Sequence, residues 1–219
     1  MKYLCICYNG REDNRFGGKK LMSIEGKSRI IQAAKRVISQ SSIAGATMRG
    51  IAEEAGLSTG AIYHYFSSKE DILYEVMDES FSETLRIAEE SKRLKHSLEE
   101  LIEEIFENII KRFEKTDENR IQFYLAQEAI LGNSELKEKF KNKYQEWVGR
   151  TEELMQHMYK RAPSKYNKAL ASLLIGAIDG IVMQLLLCSN PAELEDILKV
   201  YHEILKDGIP KFLDHLASI

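Results

Sequence analysis

From residue 23 onward, apolar positions recur at steps of three and four. Ile30, Ile31, Ala34, Val37 and Ile38 form one stripe, the mark of an amphipathic helix. Leu101, Ile102, Ile105, Phe106, Ile109, Ile110 and Phe113 form a wider one, broad enough to face two neighbours. No segment alternates at period two over the length of a strand. Thr47, Ser58, Ser68, Ser97, Ser134 and Asn190 stand where a side-chain oxygen can cap a new helix. Ser97 with Glu100, and Ser68 with Asp71, have the spacing of a capping box, and Pro191 follows Asn190 at a first helical position. Breaks fall near Ser41 to Ala46, Gly56, Ser67, Lys95 to His96, Thr116, Gly132 to Asn133, Ala162 to Ser164, Ser189 and Gly208. The pattern predicts an all-α chain of nine or ten helices. Met1 to Leu21 has no helical period and contains Asn9-Gly10 and Gly17-Gly18, so residues 1–22 are expected to form a poorly ordered arm.

Composition narrows the class without changing that picture. The chain has 219 residues, 44% hydrophobic and 30% charged, with 13 Gly and 3 Pro, which fits one or two globular domains and excludes collagenous, low-complexity and disordered classes. The net charge of −3 conceals a split: residues 1–69 carry 11 basic and 5 acidic side chains, residues 70–219 carry 20 and 29. A basic head on an acidic body points to nucleic acid. Part of the basic excess, Arg11, Arg15, Lys19 and Lys20, lies in the arm. Gly17-Gly18-Lys19-Lys20 is encoded by purine-rich codons just ahead of Met22, which makes Met22 the expected native start; the rival reading is a basic arm that touches DNA. Cys5, Cys7 and Cys188 form neither a disulfide framework nor a metal site, and a reduced, cytoplasmic setting is expected. No apolar run reaches the roughly 18 residues needed to cross a bilayer, and Asp179 interrupts the most apolar one, Ala171 to Leu187.

The informative stretch runs from Thr47 to Leu73. Ile51, Ala52, Ala55, Leu57, Ile62 and Tyr65 are apolar or small, and Gly56 falls in a short gap between two helical stripes. Ala52 allows close crossing, and Gly56 supplies the left-handed backbone of a sharp turn. The pattern predicts a helix-turn-helix whose second helix spans about Thr59 to Tyr65. Ser58, Thr59, Gly60, Ala61, Tyr63 and His64 occupy its outer face; small residues at its start suit entry into a major groove about 12 Å wide. Tyr65, Phe66, Ile62 and Leu57 are expected in the core of the small domain.

Ile62-Tyr63-His64-Tyr65-Phe66-Ser67-Ser68-Lys69-Glu70-Asp71-Ile72-Leu73, with Thr47-Met48-Arg49-Gly50-Ile51-Ala52 and Ala55-Gly56-Leu57-Ser58 upstream, closely resembles the signature of the tetracycline-repressor-like (TetR) family. The resemblance covers about residues 27–75. Ser42 stands where the family often has a helix-ending Gly, Ile38 replaces a frequent Phe, and Gly50 occupies a usually polar position. The resemblance implies a three-helix DNA-binding domain over 23–70 and a helical ligand-binding and dimerisation domain over 71–219. It implies phosphate contacts from Thr47, Tyr63 and Lys69, a phosphate or base contact from Arg49, and groove positions for Ser58, Thr59, Gly60, Ala61 and His64. Phosphate contacts position and base contacts specify; Thr59 and His64 are the expected discriminators.

In the acidic body, aromatic and methionine positions give an adaptable apolar wall, and a ligand pocket is expected among Phe106, Ile109, Phe113, Phe123, Tyr124, Gln127, Trp147, Met155, Met158, Tyr159 and Met183. The segment Ala171 to Leu187, with Gly176, Ala177 and Gly180, and the stripe through Leu194, Ile197, Leu198, Tyr201, Ile204 and Leu205 exceed what a monomer readily hides. The resemblance implies that these helices pair in a two-fold dimer, and Leu174, Ile178, Ile181, Val182, Leu185, Leu198, Tyr201 and Leu205 are the expected interface.

No phosphate-binding Gly-rich loop, HExxH or metal-spaced His/Cys cluster occurs in the sequence, so neither an enzyme nor a cofactor or metal is expected. The reading is a homodimeric repressor of a pseudo-palindromic DNA operator, released by an apolar or amphipathic small molecule. The alternatives are a DNA-binding architectural or cell-division factor without an inducer, and a helical ligand carrier or enzyme with a vestigial head.

Overall fold

The computed structural model describes residues 15–79, 81, 97–161 and 163–219, with side-chain surroundings from residue 25 onward. Every regular element among the described residues is helical. The chain divides into two compact units after Ile72.

The first unit holds α1 (Arg15–Gly45), α2 (Met48–Glu54), α3 (Thr59–Ile62) and the start of α4 (residues 69–79). Its core is Ile30, Ala33, Ala34 and Ile38 from α1 against Ile51, Ala52, Ala55, Ile62, Phe66 and Ile72. The expected break at Ser41 to Ala46 takes a specific form: Ser42 has φ 70° and ψ 167° inside α1, a region of backbone space essentially reserved for Gly. The arm expected to end at residue 22 is shorter than that, because α1 is already helical at Arg15. Once the buried turns around Ile30 have nucleated the helix, each added residue gains a hydrogen bond, and Arg, Lys, Leu and Met propagate it well enough to offset Gly17-Gly18. The remaining arm positions, including Arg11, Cys5 and Cys7, lie outside the described residues.

The second unit contains the rest of α4, then α5 (Leu98–Glu114), α6 (Thr116–Ile130), α7 (Ser134–Tyr159), α8 (Asn167–Leu186), α9 (Leu194–Glu203) and α10 (Ile209–Ala217), the last two joined by a π-helical turn, Ile204–Gly208. Ser97 opens α5 with a complete capping box. At α7 the cap is Asn133, whose side chain accepts from the Leu136 amide, rather than the expected Ser134. Asn190 does not start α9: it closes a local turn by accepting from the Ala192 amide at 2.9 Å, and α9 begins at Leu194. This side-chain-to-backbone bond competes with the helix start it was expected to make. Tyr74 and Asp78 on α4 meet α7, through an edge-on contact of Tyr74 with Phe140 and an ion pair of Asp78 with Lys143 at 2.6 Å.

α8 packs against α5, α6 and α7. Contrary to expectation, its 20 residues are long and apolar enough to span a membrane by length and composition, since one Asp is tolerated when the remaining positions are so apolar. The side of α8 that packs inward carries Leu174, Ile175, Ile178, Ile181, Val182 and Leu185. The outward side carries Leu173, Gly176, Ala177, Met183 and Leu187. The residues expected at a dimer interface thus face the protomer's own core, wholly or in part. Val182, Tyr201 and Leu205 are buried, at 1%, 6% and 6% exposure, in the protomer's own core, while Leu174, Ile178, Ile181, Leu185 and Leu198 pack against that core. A helix apolar all round has no periodic contrast to reveal which side faces in.

Candidate nucleic-acid interface and the body cavity

The helix-turn-helix is built from three local devices. Thr47 caps α2, its Oγ1 accepting from the Gly50 amide at 3.1 Å. α2 closes with Gly56 at φ 64°, and the Leu57 amide reaches back to the Ala52 carbonyl at 2.8 Å, the arrangement that ends helices at a left-handed Gly. Ser58 then caps α3, accepting from the Ala61 amide at 3.1 Å.

α3 is shorter than expected. Regular α-helix stops at Ile62, and the chain tightens to i→i+3 bonds, His64 to Ala61 at 3.2 Å and Tyr65 to Ile62 at 3.0 Å. The expected residues nevertheless share one surface. Ser58, Thr59, Gly60, Tyr63 and His64 are exposed, with Ala61 half-buried, while Ile62 and Phe66 are buried and anchor the element. Leu57 and Tyr65, expected in the core, are half-buried. Nothing stands within 4 Å of where a Gly60 side chain would begin, so the start of α3 is open to close approach. Thr47 and Ser58 use only an acceptor lone pair in capping; each hydroxyl retains a proton to donate.

Two expected phosphate ligands have partners within the chain. Exposed Arg49 pairs with Glu53 one turn on at 2.8 Å, a contact that solvent screens and that is easily exchanged. Half-buried Lys69 donates to the Ile43 carbonyl near the end of α1 at 3.4 Å, where a cation also complements the helix dipole.

The body contains two adjoining cavities of about 160 and 130 Å³ that share a wall of Asn108, Ile109, Thr151, Leu154, Ile175 and Ile178. Of the expected pocket residues, Ile109 lines both, Trp147 the first, and Met155, Met158 and Tyr159 the second. Phe106, Phe123, Tyr124, Gln127 and Met183 line neither: Phe106 lies edge-on to His202 at 5.1 Å, and Gln127 and Met183 are exposed. Phe113 borders a separate cleft with Val182 and Leu185. Leu174, Ile178, Tyr201 and Leu205, expected at the dimer interface, line the second cavity.

Sequence reasoning missed the polar group beside these cavities. Arg112 Nη2 donates to Gln122 and lies 3.5 Å from Asp179, Tyr144 donates to Asp179 at 2.6 Å, and Gln122 donates to Asp179 at 3.3 Å. Burial pushes the Arg112 pKa down, opposed by Asp179, and pushes the Tyr144 phenol well above its ordinary range, helped by the Asp179 charge. The only sequence signal was Asp179 itself, a carboxylate inside the most apolar segment.

The family described as bacterial regulatory proteins, tetR family, matches residues 30–76. The chain is 47% identical over 47 residues to the HTH-type transcriptional regulator PksA of Bacillus subtilis, a match spanning 22% of this chain and 23% of PksA; the curated relatives are thus matched over less than a third of their length. Among solved structures, a transcriptional repressor FadR of Thermus thermophilus in complex with lauroyl-CoA is 16% identical with a TM-score of 0.61, over 83% of this chain and 94% of that one. A regulator from Saccharomonospora viridis in complex with choline is 19% identical with a TM-score of 0.63, over 84% and 96%. Residues 30–76, with their capped helix-turn-helix and exposed Tyr63 and His64, thus match the tetR family of bacterial regulatory proteins, and the chain around them has the fold of solved transcriptional regulators.

Proposed function

We propose that the chain is a homodimeric DNA-binding transcriptional regulator, a repressor of a pseudo-palindromic operator that a small molecule releases. The observation that carries the reading is the surface around α3: a capped, small-residue helix start with Tyr63 and His64 exposed beside it. In this reading residues 23–70 read DNA and 71–219 bind effector and partner. Thr47, Tyr63, Arg49 and Lys69 hold phosphates, Arg49 and Lys69 after exchanging their partners within the chain. Ser58, Thr59, Gly60, Ala61 and His64 sit at the groove, and two such heads occupy major grooves about one turn, roughly 34–36 Å, apart. The outward side of α8, Leu173, Gly176, Ala177, Met183 and Leu187, supports pairing with a second copy, because small residues there let a facing helix approach closely. The effector reading rests on the adjoining cavities; a ligand acts by binding one conformer of the dimer better than another.

The test is an electrophoretic shift with DNA fragments from beside the chain's own gene. Sequence-selective retardation that weakens with salt supports the reading, whereas retardation equal on all fragments, or none, overturns it. Sedimentation of the same protein reports the dimer.

A further inference from the structure

Among the described residues that line the cavities, Arg112 is mostly covered and its charge is incompletely met. Its Nη2 is committed to Gln122 and Asp179, but its Nη1 is buried without a hydrogen-bond partner. Asp179 is shared with Tyr144 and Gln122, so the guanidinium does not have that carboxylate to itself. The ring of Phe81 covers the guanidinium, 4.0 Å from its central carbon, and offers it only the face of a π-system. Arg112, Arg150, Phe81 and Asp179 all line the first cavity, two cations to one carboxylate, and its other walls are mostly apolar. Beyond the shared wall the second cavity is more apolar still, with Ile105, Met155, Met158, Leu174 and Ile209.

We infer that the effector is a single-tailed anionic amphiphile: its oxyanion head takes the place of the Phe81 ring against Arg112 Nη1, and its hydrocarbon tail passes the shared wall into the second cavity. The inference rests on the ligand-responsive reading and names the ligand class. A charge-assisted bond to an oxyanion satisfies the orphan donor. A neutral head supplies a weaker acceptor, and a cation meets an incompletely compensated guanidinium in low dielectric. Solved neighbours of this fold hold lauroyl-CoA in one case and choline in another, so the fold does not choose the sign of the head; Arg112 does.

Trp147 is the sole tryptophan of the chain and lines the first cavity, so its fluorescence reports binding to the full-length protein. Dodecanoate, dodecyl phosphate, dodecanol and dodecyltrimethylammonium are the probes, the first two separating a carboxylate from a phosphate source. At least one anion is expected to bind about tenfold tighter than the alcohol, and the ammonium weakest. Arg112→Gln removes that preference, about tenfold for the anion, with little change for the alcohol. Asp179→Asn, which withdraws the competing negative charge, tightens the anion.

Equal or tighter binding of dodecanol or the ammonium, an Arg112→Gln protein with undiminished anion affinity, or anion binding weakened by Asp179→Asn overturns the inference. Should Arg112→Gln fail to fold, the ranking of heads on the unmodified protein and the Asp179→Asn result decide. Operator binding separates this inference from the broader reading. A neutral or cationic amphiphile that binds and releases DNA overturns the anionic class alone. A bound anion that leaves DNA binding unchanged overturns its role as effector.

Discussion

The hydroxyl of Tyr65 lies against the bare backbone of Gly26: a Cβ at residue 26 would stand 2.5 Å from the phenolic oxygen and 2.6 Å from the ring carbon that bears it. α1 thus leaves a gap into which the end of the reading element fits. In an open helical site Gly→Ala stabilises by about 0.5–1 kcal/mol. Here overpacking of about 1–3 kcal/mol dominates, so Gly26→Ala is expected to lower the melting temperature. Tyr65→Leu should recover part of the loss in the double variant, and thermal unfolding of the four-member cycle measures the coupling.

Ser42 calls for the opposite change. Its φ of 70° with ψ of 167° strains any residue with a side chain by about 1–3 kcal/mol. Ser42→Gly relieves that strain, less the entropy Gly adds to the unfolded chain, for a net gain of about 1 kcal/mol and a melting temperature some 2–4 °C higher. Unchanged or reduced stability would mean that the backbone at this kink is not the source of strain.

Tyr63 and His64 are neighbours in sequence with different expected tasks. Tyr63→Ala should weaken DNA binding on every sequence, because a phosphate contact carries no sequence information. His64→Ala should change the preferred operator bases, with roughly 1–3 kcal/mol redistributed at one position per half-site. Binding selections with both variants check the pair, and an unaltered base preference for His64→Ala would remove it from the groove.

The body should lose stability in alkali. Burial raises Tyr159 and Tyr201 to about 12, from an ordinary value of 10.0. The folded state therefore holds these protons where the unfolded state has released them; their stabilisation is complete below pH 10 and lost as pH rises toward 12. Tyr159 also donates to the Leu205 carbonyl at 2.6 Å, so Tyr159→Phe should cost about 1–3 kcal/mol at neutral pH by orphaning that carbonyl. The same variant should show a shallower alkaline decline. Unfolding midpoints across pH 8–12, with phenolate absorbance, follow both effects.

What the sequence made legible was local. Thr47, Ser58, Ser68 and Ser97 cap as their spacing indicates, because a cap depends on three or four consecutive residues. Gly56 marks its turn for the same reason. The cavity walls and the polar group of Arg112, Gln122, Tyr144 and Asp179 depend on four helices meeting. Periodicity assigns an apolar position to a covered side, but not to a neighbour, which is why Tyr201 and Leu205 were expected to meet a second copy and instead close their own cavity. The facing of α8 is hard to read for a related reason: with Gly, Ala and Leu on both sides, a rotation by one residue leaves its pattern almost unchanged.

The π-helical turn Ile204–Gly208 turns chain length into a structural quantity. Tyr201, Leu205, Ile209 and Leu213 are all buried, at a regular spacing of four. In an unbroken α-helix that spacing drifts about 40° per step, and the fourth residue would point well away from the first. The wider turn absorbs part of the drift and lets α9 and α10 present a single inward edge. Lys206 and Asp207 are exposed on the far side of this turn, so exchanging either leaves that edge in place. Straightened to ordinary helix with every residue kept, the segment would rotate the C-terminal apolar edge by about 100° toward water.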